Sequence, residues 1–229
     1  VTADARLEYA GRRITLPDSP ESRGVFAEVV ASDCYGIAAL AASGFTPRVC
    51  WDLGAAWGFA SLVMARHWPE AVIWAFEPRE ERLAYARENL SPLPGVRLIP
   101  RGLVGYFGRD KKRVLDGIAH DGLWRKTPGE ALGGGVEERC TSVAAFLREY
   151  PAAAPVDFLK IDIEGCEIGV LREARQLRLL ESLRRIRGEW HFNAFVDVPR
   201  VLGDTHEVTM GLPEKNPWGY FEASSLASS

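Results

Sequence analysis

No stretch of this 229-residue chain comes near the roughly 18 uninterrupted apolar residues that a membrane-crossing helix needs. The first thirty residues also lack the charged-then-apolar order of a secretory leader. A soluble, cytoplasmic protein with no membrane partner is expected. Nor does charge of one sign dominate: 28 Lys and Arg against 31 Asp and Glu give a formal net charge of -3. No global field therefore draws the chain to nucleic acid or to an anionic bilayer, and neither is expected as a partner. Cysteine is scarce. Cys34, Cys50, Cys140 and Cys166 form no Cys-x-x-Cys pair, and Cys50 sits in an apolar run, so reduced structural thiols are expected. Internal repeats are missing too, and no residue pattern specifies an oligomer.

What is present is enough apolar residue, 47% of the chain, to bury one sizeable core in one domain. From Val49 onward, short apolar runs alternate with longer amphipathic ones. "RVCWDL", "AVIWAF", "VRLIP", "VDFLKI" and "LRRIRGEW" read as strands. "FASLVMARHW", "EERLAYARENL", "TSVAAFLREY" (with Thr141 or Ser142 as N-cap) and "CEIGVLREARQL" read as helices between them. Such alternation forces parallel pairing through right-handed crossovers, so the fold class is doubly wound α/β. Near the end, "HEVTM" and "WGYFEA" flank the turn-rich "GLPEKNP" and predict an antiparallel hairpin. The core is placed at residues 48–222. Residues 1–47, with the punctuated "LPDSPESRG" and then the helix-like "VFAEVVASDCYGIAALAAS", are a helical and loop segment read as a substrate cover. Residues 109–138 are a charged, glycine-rich loop insertion suited to substrate recognition, its "RDKKR" a solvated face, and residues 223–229 a disordered tail.

The first strand-to-helix turn of an open parallel sheet is the favoured ligand seat. Here it is "DLGAAWG", in which Gly54 and Gly58 let backbone approach a ligand while the next helix offers free N–H groups to an anion. The spacing departs from the Gly-x-Gly-x-x-Gly of a pyrophosphate cradle, which weakens a nicotinamide-dependent oxidoreductase reading. Glu77 ends the second strand about 25 residues beyond the turn, where a carboxylate can accept from both ribose hydroxyls of an adenosine. Asp52 joins it at the first strand's end. Trp57 and Phe59 are expected to pack.

"DLGAAWG", "FEP", "FLKIDIEGCE" and "GEWH" stand in the order and spacing of the FkbM-type methyltransferases, which Val49 to Asn193 resembles. The hairpin ending is likewise that of a class I methyltransferase, Rossmann-like and mostly parallel. The resemblance implies an S-adenosylmethionine-dependent O-methyltransferase that modifies a hydroxyl of a small metabolite, a sugar or a natural-product scaffold. By the same resemblance, Asp52, Gly54, Ala55 and Gly58 would surround the methionine half of the cofactor, Glu77 the ribose, and Arg101 and Gly102 the adenine. One departure stands out: Ala56 occupies a position where the family commonly has asparagine. That keeps open a catalytically silent adenosine-binding or scaffolding protein.

"LKIDIEGCE" and "GEWH" bring Asp162, Glu164, Glu167, Glu189 and His191 to one sheet edge. Such a set can remove a proton, hold a polar substrate, or bind a divalent metal through Asp162 and Glu189. Asp162 is the first candidate base and His191 the second, with Glu189 and Glu164 beside them. Glu189 and His191, two apart on an extended segment, share a face. Glu167, inside the following helix, is expected to be solvated or salt-bridged. Tyr35, His120 and Trp124 are possible pocket contacts read first as packing or surface.

Overall fold

The computed structural model describes residues 3–105, 139–191, 194–211 and 218–228. Eleven strands occur among them. β1 (Asp4–Tyr9) and β2 (Arg12–Pro17) form a separate antiparallel hairpin, and β6 (Gly102–Leu103) and β7 (Cys140–Thr141) a short parallel pair. The other seven are β3 (Val49–Leu53), β4 (Val72–Phe76), β5 (Val96–Ile99), β8 (Phe158–Ile161), β9 (Arg185–His191), β10 (His206–Met210) and β11 (Trp218–Ser225). They make one sheet in the order β10-β11-β9-β8-β3-β4-β5, parallel except for β11, which runs antiparallel to both neighbours. This is the expected doubly wound α/β fold, with the expected C-terminal antiparallel hairpin.

Alternation along each buried strand feeds two cores. Trp51, Leu53, Trp74, Phe76, Leu159 and Ile161 face α5 (Val143–Glu149), α6 (Glu167–Gln176) and α7 (Ala194–Leu202). Cys50, Ile73, Ala75 and Phe158 face α2 (Ile37–Ala42), α3 (Phe59–His67) and α4 (Glu80–Leu90). A strand covered by helices on both faces must be apolar at every position, and β8 is buried throughout. The exception, Lys160, is central to the site. In the first core Phe146 of α5 sits edge-on to Trp51 and Phe76, ring centroids 5.8 and 4.8 Å away. Ser142, one of the two expected caps, accepts from Ala145 N–H at 3.1 Å.

Two expectations are corrected. The N-terminal segment is a hairpin followed by α1 (Pro20–Phe26), a π-helical turn at Ala27–Ala31 and α2, so the helix-like run is broken. Asp33 and Gly36 take left-handed φ values of 49° and 62°, and the Asp33 carboxylate accepts from Ala38 and Ala39 N–H, restarting the helix at Ile37. The tail expected to be disordered from residue 223 is strand to Ser225 and a 3-10 turn over Leu226–Ser228, because ladder pairing with β9 and β10 continues to Ser224 and Ser225. The 109–138 insertion, with His120 and Trp124, lies outside the described residues. The four cysteines form no disulfide with one another, and Cys50, Cys140 and Cys166 are buried while Cys34 is partly exposed.

Candidate active site

The turn after β3 is fixed from three sides. Gly54 and Ala55 N–H donate to the Phe76 carbonyl at 3.1 and 2.9 Å. Gly54 has φ +80°, and a Cβ there would lie 1.9 Å from the Asp162 carbonyl oxygen, so only glycine lets the turns after β3 and β8 meet. Ala56 is also left-handed, φ +48°. Asparagine tolerates that region better than alanine, so the departure from the family pattern carries a conformational cost. Gly58, φ +90°, opens α3, whose first turn receives no side-chain cap.

Glu77, at the end of β4, is 3% exposed. Its carboxylate accepts from Ala56 N–H at 2.9 Å and from Arg79 N–H at 2.8 Å, which clips it to the β3 turn. Burial pushes its pKa up, against those N–H groups and the Arg82 charge. Asp52 lies beneath the turn and is fully buried: Ser61 Oγ donates to it at 2.6 Å, and Lys160 Nζ stands 3.3 Å away. Asp52 and Lys160 are register partners on adjacent strands. Lys160 also donates to the Leu53 and Gly54 carbonyls at 3.2 and 2.7 Å and reaches to 3.9 Å from Asp162. Burial alone would lower its pKa, but the Asp52 and Asp162 charges hold it above the usual value. Arg101 is paired with Glu149 at the surface, and Gly102 packs against Pro78 and Cys140. Trp57 and Phe59 are buried packing residues, as expected.

The second half of the site follows β8 and β9. Asp162 accepts from Tyr35 OH at 2.9 Å, so Tyr35 belongs to the site itself and ties the N-terminal segment to it. Glu164 sits at φ +57° with its carboxylate 3.7 Å from His191 Nε2, and Glu189 approaches the same nitrogen at 3.7 Å. Glu167, expected to be solvated or salt-bridged, is the latter, paired with His191 in the interior. It is fully buried, and its Oε1 accepts from Ile163 and Gly165 N–H, both at 3.1 Å, and meets His191 Nδ1 at 2.9 Å. Sequence reasoning missed its role and that of Lys160. The signal for Lys160 was a lone cation in an apolar strand beside a strand carrying a lone Asp.

Burial, then the Asp162 charge, pushes Glu189 up to about 8, with His191 and Lys160 opposing. Burial would depress His191, yet the hydrogen bond and charge of Glu167, with Asp162 and Glu164, push it up to about 9. Glu164 is raised chiefly by burial. One donor atom each from Asp162, Glu189 and His191 lies within 4.8 Å of the others, a grouping able to hold a metal ion. Beside this rim is a cavity of about 450 Å³ lined by Asp33, Tyr35, Leu40, Arg187, Tyr220 and Glu222. Tyr35 is common to both.

A sequence profile described as the methyltransferase FkbM domain matches residues 40–208. Methyltransferase sdnD of Sordaria araneosa is 30% identical over 201 residues, covering 75% of this chain and 74% of its own length. Among solved structures, the chain is similar to a precorrin-6y C5,15-methyltransferase from Geobacter metallireducens, at 16% identity and TM-score 0.48 over 82% of this chain and 87% of that one. It is similar also to an rRNA methylase from Streptococcus thermophilus, at 12% identity and TM-score 0.46 over 82% and 93%.

Proposed function

The chain belongs to the FkbM methyltransferase family, and from that premise we propose that it is an S-adenosylmethionine-dependent O-methyltransferase acting on a hydroxyl of a small metabolite, a sugar or a natural-product scaffold. The observation that carries this reading is a donor set and an acceptor set side by side at the strand ends: the uncapped first turn of α3 and the buried Glu77 carboxylate clipped to it through Ala56. Helix-terminal N–H groups suit a carboxylate. A carboxylate with lone pairs left after accepting two N–H groups suits a ribose diol. The cofactor carries both a methionine carboxylate and a ribose, so the residues present fit it.

In this reading Gly54, Ala55 and Gly58 border the methionine end, Glu77 holds the ribose, and Arg101 and Gly102 flank the adenine. Asp52, shut off from the outside, acts from beneath by fixing the turn through Ser61 and Lys160. When bound, the cofactor supplies a sulfonium methyl already activated for in-line substitution. The chain's own task is placement, worth about 7–11 kcal/mol, against about 3–5 kcal/mol for a general base giving 10²–10⁴-fold. Asp162, oriented by Tyr35, forms with Glu189 and His191 the rim that receives the acceptor hydroxyl and takes its proton. Residues 1–47 cover that rim, and the acceptor's bulk extends past Tyr35 into the adjoining cavity.

Calorimetric titration with S-adenosylhomocysteine, and separately with NADH, tests the reading. Micromolar binding of the former alone is expected, weakened about ten- to hundredfold in Glu77→Ala through loss of charge-assisted hydrogen bonds. No binding by the folded wild-type protein would refute it and leave the scaffolding alternative.

A further inference from the structure

We propose that Asp162, Glu189 and His191 form a divalent-cation site, with Glu164 as a fourth donor, and that the bound ion holds the acceptor's hydroxyl oxygen. The proposal rests on the methyltransferase reading only for that last clause, since ion binding is measurable without turnover. Three kinds of observation lead to it.

The first is spacing. Two donors each about 2.1 Å from one ion stand about 3.0 Å apart when adjacent and about 4.2 Å apart when opposite. His191 Nε2 is 3.7 Å from Glu189 Oε2 and 3.7 Å from Glu164 Oε2, too long for hydrogen bonds and within the range for shared ligation. One donor atom from each of Asp162, Glu189 and His191 lies within 4.8 Å of the others.

The second is the state of the imidazole. His191 is 5% exposed, and its Nδ1 is committed to Glu167, itself anchored by Ile163 and Gly165 N–H. That leaves Nε2, aimed at the carboxylates, with no hydrogen bond among the described residues. A histidine fixed through one nitrogen by a buried carboxylate, with the other nitrogen presented to oxygen donors, is the arrangement that orients a metal ligand. Coordination replaces the proton on Nε2, which passes to solvent.

The third is converging charge. Glu167 Oε2 is buried with no hydrogen-bond partner among the described residues. The nearby ammonium of Lys160 is already used, at 3.3 Å from Asp52 and on two carbonyls, and stands 3.9 Å from Asp162. Four carboxylates, Asp162, Glu164, Glu167 and Glu189, therefore converge on one half-buried place around the His191 imidazole, with Lys160 and Arg82 the further cations acting on them. A donor set of two or three carboxylate oxygens and one imidazole suits Mn²⁺ and related first-row ions and leaves positions open for an acceptor oxygen.

The test is calorimetric and EPR titration of chelator-stripped protein with Mn²⁺, and in parallel with Zn²⁺. One equivalent should bind with micromolar affinity. Asp162→Asn and Glu189→Gln should each weaken it at least about tenfold, and Glu167→Gln about 10–100-fold through loss of His191 orientation. The surface variant Glu181→Gln should leave it unchanged. Uptake of neither ion at millimolar concentration by the wild-type protein, or uptake indifferent to both ligand variants, would overturn the site. Titrating the stripped protein with S-adenosylhomocysteine separates the two readings: cofactor binding without ion binding removes this proposal and spares the methyltransferase one.

Discussion

Lys160→Met should be among the most damaging single substitutions in this chain. Methionine replaces most of the side-chain volume, so the loss is electrostatic. The lysine is 2% exposed, and its removal strands Asp52, fully buried, with Ser61 as its remaining hydrogen-bond donor among the described residues. Breaking a buried ion pair from one side costs about 3–5 kcal/mol. The Leu53 carbonyl still accepts from Asp162 N–H, but that of Gly54 loses the 2.7 Å bond from Lys160, adding about 1–3 kcal/mol. A total of about 4–8 kcal/mol approaches the whole stability of many domains, about 5–15 kcal/mol. At this chain length each kcal/mol moves Tm by about 2–4 °C, so thermal denaturation followed by circular dichroism should show a fall of roughly 8–32 °C. The Asp52→Asn/Lys160→Met double variant no longer buries an unpaired charge and should recover about half of the loss. A fall below about 4 °C for the single variant, or a double variant worse than the sum of its parts, would refute the account of Lys160 as the pin beneath the turn after β3.

Other expectations are independent of it. Gly54→Ala places a methyl 1.9 Å from the Asp162 carbonyl at φ +80° and should cost more than about 3 kcal/mol in urea unfolding; a loss under 1 kcal/mol would contradict the contact between the two turns. Ala56→Asn should gain about 0.5–1 kcal/mol in the same assay by easing a left-handed alanine, and any loss of stability would argue against that strain. His206 is buried, with Nε2 2.8 Å from the Leu183 carbonyl, and burial lowers its pKa. Its unfolded form therefore takes up a proton at a higher pH than its folded form does. The stability difference between wild type and His206→Gln should be constant above the unfolded pKa of about 6.5 and shrink as pH falls below it; a difference that grows on acidification would reverse the sign and refute this.

How much could be read in advance depended on whether a signal was local. Alternating strands and helices from Val49 onward carry their periodicity in consecutive residues, and the glycine turn and strand-end acids carry theirs in spacing. The hairpin of β1 and β2 was also legible in principle: Ala5, Leu7 and Tyr9 alternate on one side of Ala10–Gly11, and both turn residues have positive φ, as a two-residue hairpin turn requires. It was overlooked because it pairs with nothing in the main sheet, so the βα rhythm passes it by. The roles of Lys160, Tyr35 and Glu167 depend on partners 108, 127 and 24 positions away, respectively Asp52, Asp162 and His191. The register of β3 against β8 brings Asp52 to Lys160, that of β8 against β9 sets His191 beside the turn that leads into Glu167, and the docking of the N-terminal segment brings Tyr35 to Asp162.

The place of β11 has a consequence for the order in which the chain can assemble. β10 is made first, yet its ladder partner in the sheet is the later β11, which lies between it and β9. β10 therefore has no ladder partner in the sheet until β11 has paired with β9. The gap closes only when a strand made afterwards slides in, antiparallel, to bridge the two. That interval is when an unpaired strand is most open to pairing with another chain.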